Sequence, residues 1–256
     1  MIVVISVKAL ITGASSGIGY SVAKVLHDMG IDLVLVSRNK EKLEKLKKQF
    51  GKKTKVIEMD LSSTYNCIEL YELCKEDKID ILVNNAGFGD CGYFIETSLT
   101  KELNMIDLNI KSVQILTKMF LNDFIKHNRG YILNVASMAA FAPGPLMATY
   151  YATKSYVLNL TEGIAEELKN INSKVYIGCL CPGPVNTNFN DAANVKFNIK
   201  GINSDKVANY AINQMFKGKK IIIPSMKMKF SHSLSKICPN KLMSRFIFNF
   251  QKKKVD

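Results

Sequence analysis

The chain has 256 residues, 47% of them hydrophobic and 22% charged, a composition that supports one folded domain and excludes a disordered polymer. Its six cysteines, Cys67, Cys74, Cys91, Cys179, Cys181 and Cys238, have no metal-ligand or redox spacing, so reduced thiols in a cytoplasmic setting are expected and a metal site is not. The formal charge of +13 is concentrated at one end: eleven Lys or Arg face a single acid from Lys217 to Asp256, and no Asp or Glu lies from Lys206 to Val255. The apolar start, Met1 to Val7, lacks a basic leader and runs straight into the first strand. It reads as neither a signal peptide nor a membrane span, which needs about 20 residues.

Short apolar runs alternate with helix-length amphipathic segments, the pattern of a parallel sheet covered by helices on both faces. In chain order, strands are expected over 8–12, 32–37, 54–59, 79–84, 130–136, 174–181 and 220–223. Helices fill the intervals: 17–29, 40–49, 62–74, 100–127 with a break near Asn109, 150–169 and 204–216. Gly30 and Gly51 stop the first two helices. The expected architecture is α/β: a doubly wound parallel sheet of about seven strands over residues 1–224, followed by a basic amphipathic extension over 225–256.

Where the first strand turns into the first helix stands Thr12-Gly-Ala-Ser-Ser-Gly-Ile-Gly19. Gly13, Gly17 and Gly19 let backbone approach a pyrophosphate whose charge the helix N-terminus meets, although three glycines alone would serve a bare turn as well. They are followed by Ser37-Arg38 at the end of the second strand, then by Asp60-Leu61 and Asn84-Asn-Ala-Gly87. An acid ending the second strand would bind a ribose 2′-hydroxyl, whereas an arginine accommodates a 2′-phosphate. Here the acid is missing and one of only three arginines is present. That favours NADP(H) over NAD(H), with the guanidinium able to stack on adenine; the alternative is an exposed loop arginine.

Ser137 follows the strand Tyr131-Ile-Leu-Asn-Val-Ala136, at the end of a sheet where such folds bind ligands. Thirteen residues later, Tyr150 and Lys154 stand one helical turn apart. A tyrosine with its ordinary pKa of about 10 is a poor acid or base at neutrality, and an ammonium at i+4 favours the phenolate. Lowering the phenol by about three pH units takes roughly 4 kcal/mol of differential stabilisation, which that ammonium and a positively charged nicotinamide ring would supply together. Tyr151 is adjacent but has no lysine at i+4.

These segments, in this order, resemble the short-chain dehydrogenase/reductase family from Lys8 to Pro224. The resemblance implies a Rossmann-type fold and reversible hydride transfer between a nicotinamide cofactor and a carbonyl or secondary alcohol. It implies that Tyr150 gives or takes the oxygen-bound proton, that Ser137 orients and polarises that oxygen, and that Lys154 biases Tyr150 and bonds the nicotinamide ribose. Asn109 matches the family's helix-breaking asparagine, whose carbonyl holds a water linking the lysine to solvent. The cofactor would further be met by Ser15, Ser16 and Ile18 in the glycine turn, by Ser37 and Arg38, and by Asp60 at the adenine amino group beside Leu61. Asn84, Asn85, Ala86 and Gly87 would line the adenosine ribose, and Pro182, Gly183, Val185 and Thr187 the carboxamide. For Asn84 a structural role, tying neighbouring strands together, is the alternative. A non-catalytic NADP(H)-binding sensor or scaffold is the competing reading of the chain, and its usual mark, a broken catalytic tetrad, is absent. After Ile221-Ile-Ile-Pro224 no Gly-Gly turn follows. This departs from the family's tetramers and leaves a homodimer through the helices starting near Asn109 and Tyr150.

The loops expected around the substrate, 88–94, 138–147 and 186–201, carry Phe88, Tyr93, Phe94, Met138, Phe141, Pro143, Met147, Phe189 and Phe197 with few charges. Such walls suit a bulky apolar alcohol or ketone, whether steroid-like, acyl-chain or xenobiotic, better than a small hydroxy acid, unless these side chains pack into the core beneath. Pro239 divides the extension into two amphipathic segments, with Met226, Met228, Phe230, Leu234 and Ile237 before it and Leu242, Met243, Phe246, Ile247 and Phe250 after it. Their spacing predicts an inner apolar face, while Lys227, Lys229, Lys236, Lys241, Arg245 and Lys252 to Lys254 supply positive charge. Either that face packs over the substrate pocket or a second subunit, or the extension lies on an anionic membrane surface and takes substrate from it. Nucleic acid is not an expected partner, because the charges alternate with Met, Phe, Leu and Ile and arginines are few.

Overall fold

A computed structural model describes residues 7–187, 189, 193, 201–235 and 237–252. Nine strands are numbered along these residues: β1 (Lys8–Thr12), β2 (Asp32–Ser37), β3 (Thr54–Glu58), β4 (Ile81–Asn84), β5 (Tyr131–Val135), β6 (Tyr176–Leu180), β7 (Val185–Asn186), β8 (Ile202–Asn203) and β9 (Ile221–Ile222). Seven of them form one sheet in the order β3-β2-β1-β4-β5-β6-β9, every pair parallel. The helices are α1 (Gly17–Asp28), α2 (Lys40–Phe50), α3 (Thr64–Cys74), α4 (Leu99–Ile106), α5 (Ser112–His127), α6 (Ala148–Asn170) and α7 (Ser204–Phe216), with α8 (Met226–Ser235) and α9 (Asn240–Lys252) in the extension.

The inner strands are largely apolar runs because both of their faces are covered, whereas the edge strand β3 exposes Lys55 and Glu58. Ile11, Leu33 and Leu35 enter a core shared with α1, α2 and α7. Their sequence neighbours Leu10, Val34 and Val36 enter the opposite core, shared with α3, α5 and α6. Successive side chains of a strand point to opposite faces, so each strand supplies both layers. Each fully buried Leu or Val contributes roughly 1.5–3 kcal/mol.

The expected intervals hold to within two residues at either end. Asn39 starts α2 by accepting from the Lys42 N–H at 2.8 Å, and Asn203 starts α7 by accepting from Asp205 and Lys206. Gly30 and Gly51 have φ of 80° and 82°, conformations that end the preceding helices without strain. The break expected near Asn109 is a widened π-turn over Asp107–Lys111 that joins α4 to α5. The two-residue β7–β8 pair had no signal in the sequence, since so short a run carries no periodicity.

In the extension the expected inner face is only partly realised. Met228, Met243 and Ile247 are half-buried, but Met226, Phe230, Leu234, Ile237, Leu242, Phe246 and Phe250 are exposed. The helices sit on the fold through a different edge: the His232 ring lies 4.0 Å from that of Phe141, Phe248 meets Tyr93, and buried Gln251 donates to the Tyr151 hydroxyl at 2.9 Å. Lys236 and residues 253–254 lie outside the described residues. No helix among the described residues is long and apolar enough to cross a membrane.

Asn84 and Asn134 pair in register across β4 and β5. The Asn84 amide donates to Asn134 Oδ1 at 2.9 Å and to Thr117 Oγ1 at 3.0 Å, and the Asn134 amide donates to Thr161 Oγ1 at 2.9 Å. All four residues are buried, so the Asn84 side chain ties strands and helices together, as in the structural alternative for this residue. Removing a partner from such a network strands a buried polar group at about 1–3 kcal/mol each. Asn134→Leu is therefore expected to lower the free energy of unfolding in urea by about 2–4 kcal/mol, with Thr161→Val costing less.

Candidate active site

The strand order reverses between β1 and β4, and their carboxyl ends open a crevice there. The two ends are laced together. Thr12 Oγ1 accepts from the backbone N–H groups of Asn85 and Ala86, both at 3.0 Å. Asn85 Nδ2 returns bonds to the carbonyls of Thr12 at 2.9 Å and Gly13 at 3.1 Å. The turn must be glycine-rich for steric reasons: Gly13 has φ of 63°, and a Cβ there would stand 2.9 Å from Ala86 Cα, while one on Gly19 would overlap the Gly13 carbonyl oxygen. Thr187 lies across the start of α1, where a Cβ on Gly17 would come within 3.0 Å of its methyl group. Ser16 enters α1 in an extended conformation without a side-chain capping bond. The helix thus presents its first N–H groups to the crevice uncapped by a side chain, a donor set that fits a pyrophosphate. Ser15 and Ile18 flank the turn, both half-buried.

At the end of β2, Ser37 is buried and accepts from the Asn39 N–H at 3.2 Å. Arg38 Nη1 lies 3.8 Å from Asp60 Oδ2, with both side chains open to solvent. The other Asp60 oxygen accepts from the Ser62 N–H and hydroxyl. Leu61 is buried against the α3 core. An exposed ion pair of this length contributes little to stability, so the guanidinium is free to meet another anion.

Asn109 joins the second group of residues. Fully buried in the π-turn, it accepts from the Phe88 N–H at 3.1 Å, donates to the Phe88 carbonyl at 2.9 Å and donates to Thr153 Oγ1 at 3.1 Å. Thr153 in turn donates to the Tyr150 carbonyl at 2.7 Å. A Cβ on Gly87 would lie 2.8 Å from Asn109 Oδ1 and 3.4 Å from Lys154 Nζ, so the end of β4 closes directly onto the lysine. Lys154 donates to the Val135 carbonyl at 2.9 Å, and its ammonium lies 5.9 Å from the centre of the Tyr150 ring. Ser137, extended at the end of β5, accepts from the Ala139 N–H at 3.1 Å and starts the 3-10 turn Met138–Phe141. The Pro182 carbonyl accepts from the Met138 N–H at 2.9 Å, which brings the segment after β6 beside Ser137. Gly183 lies under Met228 of α8, and Val185 is buried.

Burial pushes the Tyr150 phenol up to about 12, against a hydrogen-bonding contribution from the Ser137 hydroxyl that favours its ionised form. Burial likewise pushes the Lys154 ammonium down to about 8. The lowering of tyrosine by lysine that the i+4 spacing predicts is therefore not found in the polypeptide alone. Desolvation disfavours the charged form of each group, and the ammonium is directed at Val135.

Phe88, Met147 and Phe189 gather around Tyr150, the Phe189 and Tyr150 rings 5.5 Å apart. Met138 and Phe141 pack instead with Met228 and the core beneath, Tyr93, Phe94 and Pro143 are exposed, and Phe197 lies outside the described residues. Thr12 and Thr153 also build the site, although the sequence alone assigns neither a role. Thr12 was legible as a hydroxyl at a strand end, whereas Thr153 carried no signal beyond standing next to Lys154.

Because the folded Lys154 titrates near 8 against 10.5 ordinarily, the folded state carries the burial penalty in full below about pH 8 and sheds it as pH rises toward 10.5. Lys154→Met escapes that penalty. Measured by urea unfolding, the stability of the variant relative to wild type is expected to fall by up to about 3 kcal/mol between pH 7 and 10.5.

Residues 7–197 match the family model for short chain dehydrogenases. The chain is 31% identical over 191 residues to Nodulation protein G of Rhizobium sp. (strain N33), covering 74% of this chain and 77% of that one. Among solved structures, a short-chain dehydrogenase from Sphingobium yanoikuyae in complex with NADPH is 28% identical with a TM-score of 0.82, over 93% of this chain and 95% of that one. The bulky-bulky ketone specific alcohol dehydrogenase from Comamonas testosteroni is also 28% identical, with a TM-score of 0.76 over 93% of each chain. The chain therefore belongs to the short-chain dehydrogenase/reductase family, oxidoreductases that act on CH–OH or C=O groups with a nicotinamide dinucleotide.

Proposed function

We propose that the chain is an NADP(H)-dependent oxidoreductase for a bulky, apolar carbonyl or secondary alcohol. The observation that carries this reading is the convergence of Tyr150, Lys154 and Ser137 beside the glycine turn, the tyrosine and lysine both buried. When bound, the nicotinamide ring supplies or accepts the hydride. Every other task falls to the polypeptide. The N–H groups at the start of α1, with Gly13, Ser15, Ser16, Gly17, Ile18 and Gly19, hold the pyrophosphate. Asp60 and Leu61 would hold the adenine, Asn85, Ala86 and Gly87 the adenosine ribose, and Pro182, Gly183, Val185 and Thr187 the carboxamide. Asn85 would take this part through an acceptor oxygen, since its side-chain NH2 donates to the carbonyls of Thr12 and Gly13 and its backbone N–H to the Thr12 hydroxyl.

Ser137 orients the substrate oxygen, and Tyr150 transfers its proton through the phenolic oxygen. A phenol kept neutral by burial is the donor that carbonyl reduction requires. Lys154, an amine with an intermediate proton affinity beside the Tyr150 ring, would bond the nicotinamide ribose, and Asn109 holds it in register through Phe88 and Thr153. The apolar wall of Phe88, Met147 and Phe189 supports a bulky substrate, as does the likeness to the bulky-bulky ketone specific alcohol dehydrogenase. The preference for NADP(H) rests on Arg38 and on the missing acid at Ser37. Free thiols throughout the described residues support a reducing, cytoplasmic setting. The homodimer through α5 and α6 rests on family resemblance.

Tyr150→Phe removes one hydroxyl and no packing volume. It is expected to keep NADPH binding and thermal stability while abolishing turnover on a panel of apolar ketones; activity within about tenfold of wild type, about 1.4 kcal/mol in barrier, removes Tyr150 from the acid-base role. Tyr151→Phe is the matched control for turnover. Fluorescence titration is expected to give tighter binding of NADPH than NADH, and Ser37→Asp with Arg38→Leu should narrow or reverse that order by repelling the 2′-phosphate. Equal affinities in the wild type overturn the preference.

A further inference from the structure

The extension meets the fold with one side and leaves the wrong chemistry on the other. In α8, Met226, Phe230 and Leu234 recur every fourth residue and are 77%, 73% and 55% exposed. In α9, Leu242 and Phe246 repeat the spacing at 56% and 70%, and Ile237 between the helices is 83% exposed. Side chains four apart lie on one face of a helix, so each helix turns a row of large apolar groups to solvent. Scattered apolar residues on a surface need no explanation, but ordered rows on consecutive helices do. The orientation is not left open by loose seating: Met228 rests on Gly183, the Lys229 ammonium donates to the Tyr210 hydroxyl at 2.9 Å and Gln251 donates to Tyr151.

Charge decides what covers these rows. Lys227, Lys241, Arg245 and Lys252 are exposed and form no ion pair among the described residues, and the segment from Lys217 to Asp256 carries a net charge of +10. A second copy applied patch to patch would bring two such surfaces together against their mutual repulsion. A nucleic acid would satisfy the cations and leave the Phe, Leu and Ile side chains in water. An anionic bilayer satisfies both, because apolar side chains enter the acyl boundary while the flanking cations meet the headgroups.

We propose that α8 and α9 are a peripheral docking surface for anionic lipid membranes. They sit on the loops that follow β5 and β6, at the carboxyl end of the sheet where Ser137 and Tyr150 stand. Docking thereby sets the substrate side of the molecule next to the lipid. That last consequence, delivery of an apolar substrate from the bilayer, rests on the proposed function; the docking itself does not.

The test is co-sedimentation of the full chain with phosphatidylcholine vesicles, with and without phosphatidylserine, in the absence of cofactor and substrate. Binding is expected only with phosphatidylserine and should weaken as salt rises. Phe230→Asp with Phe246→Asp is expected to weaken it at least about tenfold, and Lys227→Gln with Lys241→Gln and Arg245→Gln by a similar factor. All five positions are solvent-exposed, and unchanged thermal melting with retained NADPH binding shows that the variants fold. Failure of the full chain to sediment at low salt overturns the proposal, as does undiminished binding by either folded variant set. A homodimer that dissociates on Phe230→Asp with Phe246→Asp also overturns it, assigning the rows to a second copy. Loss of turnover alone bears on the reaction and leaves the docking measurement standing.

Discussion

The side-chain amide of Asn109 is the contact on which the arrangement of the site depends. It bonds both backbone groups of Phe88 just beyond β4 and the hydroxyl of Thr153 in α6. Those partners belong to segments far apart in the chain, and a fully buried amide left without them would cost several kcal/mol. The π-turn over Asp107–Lys111 carries this residue between α4 and α5. Because Thr153 directly precedes Lys154 and also bonds the Tyr150 carbonyl, the same contact fixes the backbone from which both ionisable groups project. Gly87 has no room for a Cβ against Asn109, so the close approach of the β4 end belongs to the same constraint.

Burial then sets the chemistry of those groups. A desolvated phenol resists losing its proton, and a desolvated ammonium gives one up more readily. Tyr150 and Lys154 are moved in these directions by the fold, the first upward and the second downward. This leaves a neutral donor beside an amine whose proton affinity lies nearer to neutrality than that of a lysine in water. The hydroxyl of Ser137 works in the opposite sense on the tyrosine. Tuning of this kind comes from packing rather than from surface charge.

The sequence by itself determined the sheet, the nucleotide crevice and the pairing of Tyr150 with Lys154. These features rest on local rules: apolar runs long enough for a strand, glycines where the backbone turns sharply, and a four-residue spacing on one helix face. The turn over Asp107–Lys111 was legible at Asn109 through the family resemblance, as the match to a helix-breaking asparagine. Only the tertiary structure decided how the amides are used and which way the last helices face. Asn84 and Asn85 are neighbours of identical type, yet one is consumed by Asn134 and Thr117 between strands and the other by Thr12 and Gly13 at the turn. Nothing local distinguishes them, because each partner arrives from a distant segment. In the extension, periodicity showed that apolar side chains share a helix face but not whether that face meets protein or solvent. Seating by His232, Phe248 and Gln251 turned the rows of Met226 and Leu242 outward, since the orientation of a docked helix is set by the surface beneath it as much as by its own sequence.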